Sequence, residues 1–183
     1  MSYIVVDVEA DGEYPGDYSM VCFGACIVEP SLSKTFYSGV PPISGIYKPE
    51  ALAISGFSRE DHLRFGTIER PELPFDEFIK HEMKCFVKWI KENSKGKPIF
   101  ISDNLAFDWM WINYYLHKYA GENPFGWSGR RIGDLWAGYN NDMFIRWKWM
   151  RETKHTHDPV DDAKGNAEAV LKMKEKGLKI DLK

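Results

Sequence analysis

From Tyr3 to Val8 apolar side chains occupy nearly every position, so both faces of an extended segment would be covered, as in a central strand. "YSMVCFGACIVE" (18 to 29) and "KTFYSGV" (34 to 40) repeat the signal, with Pro30 and Ser31 between them. These three segments predict an antiparallel meander. The period then changes. Phe75, Phe78, Ile79, Phe86 and Ile90 recur at helical spacing from about 75 to 92, and a stop follows at Asn93 to Gly96. "KPIFISDN" (97 to 104) reads as a short buried strand. Leu105 to Tyr119 reads as a second amphipathic helix, closed by Gly121, Asn123 and Pro124. Asp158 as N-cap, Pro159 at the first helical position and Gly177 as a stop define a last helix. Strands first, then alternating strand and helix, predict an α/β or α+β fold, a mixed sheet flanked by helices.

Residues 122 to 156 break this regularity. Trp127, Trp136, Trp147 and Trp149 stand among glycines and basic residues, with a short helix near Asp134 to Tyr139 whose N-cap is Asp134. Within the segment "RWKWMR" (146 to 151) has two readings. Basic side chains can hold phosphates while aromatics stack bases. Alternatively a helix packs Met143, Phe144, Trp147 and Met150 on the core, and both can hold at once, with Trp147 inward and Arg146, Lys148 and Arg151 on the substrate side.

A chain of 183 residues is long enough for one domain with a full core. Its 24 Lys and Arg against 27 Asp and Glu give a net charge of -3, which excludes a general basic coat but permits a local basic patch beside an acidic site. Cys22, Cys26 and Cys85 form neither an even disulfide set nor a zinc spacing, so a reducing compartment is expected. No apolar run approaches the roughly eighteen residues of a membrane span, and acids interrupt the first segment. The expectation is a soluble cytoplasmic protein with no membrane partner.

The acids are where chemistry enters. Asp7 and Glu9 are two apart on the first strand, so they project from one face and repel unless something positive lies between them. Asp108 opens the second long helix on the face of Ile112, Tyr115 and Tyr119. In "HDPVDDAKGNAEAV" (157 to 170) Asp158 caps, Asp161 fits the reciprocal capping position, and Asp162 is left on the inward face of Asn166, Ala169 and Val170. Four inward acids on three elements call for a divalent cation, and hard oxygen ligands favour magnesium or manganese. Two ions roughly 3.5 to 4 Å apart can clamp both oxygens of a phosphodiester displacement. His157, with an ordinary pKa of about 6.5, could take the proton from the attacking water.

With these residues in place, the chain resembles the DEDDh subgroup of the DnaQ-like 3'-5' exonucleases, the group of RNase T, oligoribonuclease and bacterial proofreading subunits. The resemblance runs through Asp7-Val-Glu9 with Asp11-Gly12, "EALAISGFSRED" at 50 to 61, "NLAFD" at 104 to 108, and His157 followed five residues later by Asp162-Ala163. It implies an RNase H-like fold, a mixed sheet of about five strands with helices on both sides, as a single exonuclease domain over 1–183 with the Trp-rich insert at about 122–156. It also implies two Mg²⁺ ions, with Mn²⁺ substituting. Asp7, Glu9 and Asp162 would hold one, Asp7 and the scissile phosphate the second, and Asp108 would act near that second ion. His157 would be the general base; the five-residue spacing to Asp162 favours it over His155. The substrate contacts implied are Ala10, Asp11 and Gly12 at the terminal sugar, Ser55, Gly56 and Phe57 beside the 3' terminal nucleotides, and Asn104 and Phe107 in the Asp108 motif.

The chain departs from the family pattern at three places. Pro159 stands where a small alanine is usual, Ser55 replaces a histidine, and the 122–156 insert is longer than in minimal members. The expected function is metal-dependent 3'-5' hydrolysis of single-stranded nucleic acid to nucleoside 5'-monophosphates. A non-catalytic nucleic-acid or protein binding module and a phosphohydrolase of small nucleotides are the competing readings. The choice between RNA and DNA rests on contacts to a 2'-hydroxyl, for which the sequence has no signal. RNase T and oligoribonuclease act as homodimers, which leaves a homodimer open here.

Overall fold

The computed structural model describes residues 1–68 and 70–182. β1 (Ser2–Ala10), β2 (Met20–Ile27) and β3 (Thr35–Gly39) form the antiparallel meander, and β4 (Pro98–Ser102) and β5 (Gly129–Arg131) extend the sheet in parallel from the other edge of β1. Across the sheet the order is β3-β2-β1-β4-β5. β1 is therefore central, as its two-sided apolar run requires. Ile4, Val6 and Val8 enter an aromatic core with Phe23, Phe86, Phe100 and Trp111, while Val5 faces Ala163, Ala167, Val170 and Met173. Each fully buried side chain of this kind contributes roughly 1.5 to 3 kcal/mol.

Two helices supply these covers. α3 (Phe75–Asn93) presents Phe78, Ile79, Met83, Phe86 and Ile90 to the first core, and α6 (Pro159–Glu175) closes the second. α4 (Leu105–Tyr115) joins the aromatic side and continues through a π-helical turn to Ala120 before Gly121 ends it at φ +79°. Between β3 and α3 lie α1 (Pro49–Ile54) and α2 (Arg59–Arg64), and β5 leads straight into α5 (Ile132–Asn140). Among the described residues no helix is long and apolar enough to cross a membrane.

One glycine decides how closely α6 approaches. Gly24 is the register partner of Asp7, and a methyl group at Gly24 would run into the backbone of Pro159. Without a Cβ there, the first turn of α6 rests directly on β2 beside Asp7.

Three expectations are corrected. Residues 143 to 150 do not form one continuous helix: α5 ends at Asn141 with φ +53°, the Asp142 carboxylate takes the Phe144 N–H in a turn, and only Lys148–Met150 close a single 3-10 turn. Trp147 and Met150 pack inward, but Met143 and Phe144 are 81% and 87% exposed. Asp161 has no reciprocal capping bond, since the Asp158 N–H donates to Thr156 Oγ1 instead. Asp134 is not an N-cap but accepts from Arg131 Nη1 at 2.9 Å.

Candidate active site

β1 and β4 run parallel, and the acids gather at their carboxyl ends, where open α/β sheets characteristically bind ligands. Asp7 and Glu9 project from β1 on the side of α6. α4 begins just beyond β4 and turns Asp108 inward, where its Oδ1 accepts the Val8 N–H at 3.2 Å. α6 brings Asp162 from above. Glu9, Asp108 and Asp162 are 8%, 3% and 0% exposed. Carboxylate oxygens of Asp7, Glu9 and Asp162 all lie within 4.8 Å of one another.

Such crowding is visible in the acidities. Burial, then repulsion by Asp108, Glu9 and Asp162, pushes the Asp7 carboxyl well above the usual range. Glu9 is pushed up to about 7 by burial and by Asp162. Burial likewise raises Asp108. Asp162 is the exception. Burial opposes its ionisation too, but hydrogen bonds from Arg151 and His155 outweigh it and hold the carboxyl below the usual range.

Asp162 sits in a dense donor shell. Arg151 Nη2 donates to Oδ1 at 2.7 Å, His155 Nδ1 lies 2.8 Å from Oδ2, and the backbone N–H groups of Thr156 and His157 point at the same carboxylate. His157 can do this because its φ is +61°, an uncommon conformation for a residue with a side chain. Its imidazole is half exposed, with Nδ1 3.5 Å from Glu9 Oε1. Arg151 reaches Asp162 past Gly165, where a Cβ would stand 2.5 Å from Arg151 Nε.

The donor set suits a hard divalent cation. It is all carboxylate oxygen, each of the three acids offers an oxygen within 4.8 Å of the other two, and the cost of keeping them ionised together is what a cation removes. Divalent-metal dependence follows from this arrangement.

The cleft that opens on these acids has a volume of about 550 Å³, and Asp7, Glu9, Ala10, Gly12, Asn104, Phe107, Asp108, His155 and His157 all line it. Four residues expected at the substrate are not in its wall. Asp11 is fully buried and accepts from Ser19 N at 2.6 Å and Arg59 Nη1 at 3.0 Å, so it fastens the β1–β2 turn to α2. Ser55 is buried and donates to Leu52 O. Gly56, at φ +76°, turns the chain away from the cleft, and Phe57 packs on Phe65 in a separate cavity. Ile54, the last residue of α1 and 57% exposed, faces the cleft in their place.

Lys48 was not singled out in the sequence as part of this site, whereas Lys148 and Arg151 were expected on the substrate side of "RWKWMR" without a stated partner among the acids. Lys48 and Lys148 both line the cleft, paired with Glu13 and, at 2.7 Å, with Asp103. Only "RWKWMR" carried a usable signal, since its spacing of basic residues contains Lys148 and Arg151 together.

No family model matches the chain. It is 34% identical over 179 residues to the 3'-5' DNA exonuclease Cap18 of Escherichia coli, across 91% of this chain and 88% of that protein. Among solved structures, exonuclease I from Methylocaldum szegediense superposes with a TM-score of 0.66 at 17% identity over 97% of this chain. E. coli exonuclease I in complex with a dT13 oligonucleotide superposes with a TM-score of 0.62 at 15% identity, also over 97%. This chain spans 41% of each of those two proteins, and at such identities the likeness is one of fold.

Proposed function

Given that the chain belongs to the DnaQ-like 3'-5' exonucleases, we propose that it removes nucleoside 5'-monophosphates from the 3' end of single-stranded DNA by the two-metal chemistry of the DEDDh subgroup. The carrying observation is the convergence of Asp7, Glu9 and Asp162 oxygens within 4.8 Å, with Asp108 beside them, in a cleft large enough for a nucleotide. DNA as substrate is supported by the 34% identical relative, itself a DNA exonuclease.

Asp7, Glu9 and Asp162 would hold one Mg²⁺, and Asp7 and Asp108 would serve the second. Bound there, the pair supplies Lewis-acid activation of a water and charge stabilisation at the leaving 3' oxygen. The chain's own groups do the rest. Arg151 keeps Asp162 ionised and aimed at the cleft. His157, on the rim and facing Glu9, takes the proton of the attacking water. Gly12 and Ala10 let the terminal sugar approach backbone, and Phe107 and Ile54 offer apolar contact to the terminal base. The whole chain is read as one exonuclease domain.

Matched single-stranded and duplex oligonucleotides of DNA and RNA, labelled at either end, test the proposal directly. The expected result is Mg²⁺-dependent release of mononucleotides from the 3' end of single-stranded DNA, abolished by chelator and by Asp7→Ala. Cleavage that survives Asp7→Ala would overturn it.

A further inference from the structure

The cleft and the hollow beside it are of unlike charge: carboxylates outnumber cations in the wall of the first, and the wall of the second holds cations and no acid. In the cleft Lys48 is taken up by an ion pair with Glu13, and Asp7, Glu9, Glu50 and Asp108 add further carboxylates. Lys148 lines both the cleft and an adjoining hollow of about 610 Å³. That hollow is walled by Arg131, Phe144, Arg146 and Trp149. Among the described residues Arg146 makes no ion pair, unlike Arg131 with Asp134 and Lys148 with Asp103.

The aromatic side chains of the hollow are set for contact. Phe144 and Trp149 are 87% and 62% exposed. Trp149 is also fixed in orientation: its Nε1–H donates to Arg146 O at 3.0 Å, and Lys176 Nζ stands 5.2 Å from the ring centroid. A large ring held open to solvent beside basic side chains, with the Arg146 guanidinium outside any ion pair among the described residues, is the arrangement that stacks a base while its phosphates are neutralised.

We infer that this hollow is the track for the single strand on the 5' side of the scissile bond, a reading that rests on the exonuclease assignment of the cleft. A terminal nucleoside has no phosphate beyond it and fits the acidic cleft. The rest of the strand is a polyanion and leaves through the basic hollow, past Lys148 and onto Arg146 and Arg131, with a base on Trp149. Stacking ignores base identity, which suits an enzyme that steps through any sequence.

The test compares kcat/KM on a single-stranded DNA of about twenty residues with that on a trinucleotide sharing its 3' sequence, for the parent, Arg146→Ala and Trp149→Ala. The ratio of long to short is expected to fall about tenfold for Trp149→Ala, one stacked base being lost. Fluorescence anisotropy of the long strand in chelator should lose about 0.7 from its salt slope for Arg146→Ala, one phosphate contact being lost. An unchanged ratio together with an unchanged slope would overturn the track. A parent that cleaves neither substrate would sink the exonuclease reading, while the anisotropy would still decide the track. Unchanged binding, with Phe144→Asp converting a dimer to a monomer in solution, would give the hollow to a second copy of this chain and overturn the track.

Discussion

Arg151 and Asp162 meet at 2.7 Å behind the acid cluster, 7% and 1% exposed at their side chains, and they can meet because residue 165 is glycine. Glycine inside a helix is about 1 kcal/mol worse than alanine, so α6 gives up local stability at this point. What it gains is a resident counter-charge. Asp162 is the acid of the four whose ionisation is favoured without a metal, and its orientation is fixed before a cation arrives.

Removing that counter-charge should therefore weaken the fold itself. Arg151→Met leaves a buried carboxylate with its strongest partner gone, a loss of about 3 kcal/mol in urea unfolding under chelator. Gly165→Ala should also destabilise, by about 1 kcal/mol or more. Its methyl group would meet Arg151 Nε at 2.5 Å and the Thr153 carbonyl at 2.9 Å, which outweighs the better helix propensity. A Gly165→Ala protein more stable than the parent would show that Arg151 can move aside freely.

Glu9 predicts the opposite sign. Its folded pKa of about 7 lies above the ordinary 4.5, so the stability it contributes is fully present below about pH 4.5 and is lost as pH rises through 7. In the metal-free protein at pH 8 the deficit is on the order of 3 kcal/mol. Glu9→Gln should raise the unfolding midpoint in chelator at pH 8, bring little gain near pH 4.5, and abolish cleavage. Adding Mg²⁺ should stabilise the parent more than the variant. A variant less stable than the parent at pH 8 would contradict the repulsion argument.

The acid cluster was legible in the sequence because strand and helix periodicity fix which residues share a face. Asp7 with Glu9, Asp108 with Ile112 and Asp162 with Asn166 are all local relations, and the structure brings these acids together. What was not legible depends on contacts between distant segments. Gly24 and Gly165 look like ordinary glycines until Pro159 and Arg151 are packed against them. Arg151 reads as one more basic residue of "RWKWMR". β5 has three residues and no apolar signature, so only its pairing with β4 reveals it. Phe57 was expected at the substrate, but the left-handed turn at Gly56 sends it elsewhere and leaves Ile54 at the cleft.

His62 supplies an acid-side switch in stability. It is fully buried, with Nε2 3.2 Å from Met20 O and Nδ1 3.3 Å from Arg59 Nη1, so the neutral ring satisfies both neighbours. Burial, and then the Arg59 charge, lowers its pKa from 6.5 to about 4. Unfolded chains take up this proton near pH 6.5 and the folded chain only near 4, so the contribution is complete above 6.5 and is lost as pH falls to 4. The loss is roughly 3 kcal/mol. Asp11, raised by burial, acts in the contrary direction at the acid end, which makes the variant comparison decisive. The acid slope of urea midpoints between pH 6.5 and 4 should flatten in His62→Gln. An unchanged slope would remove His62 from the account.

His155 and His157 are neighbours, with ring centroids 4.3 Å apart, yet their surroundings assign them different work. His155 Nδ1 is engaged with Asp162 at 2.8 Å, which makes it a further anchor of that carboxylate. His157 anchors Asp162 through its backbone N–H, and its ring, with Nδ1 3.5 Å from Glu9, makes no shorter side-chain bond among the described residues and can turn to a water. His157→Ala should lower kcat by about 10² to 10⁴ with little change in KM for an oligonucleotide, as loss of a general base does. His155→Ala should cost less than about tenfold in kcat. His157→Gly should lose as much activity as His157→Ala yet be more stable by about 1 kcal/mol, because φ +61° suits glycine. If His155→Ala instead showed the larger loss in kcat, the proton would be taken by His155 and His157 would be the anchor.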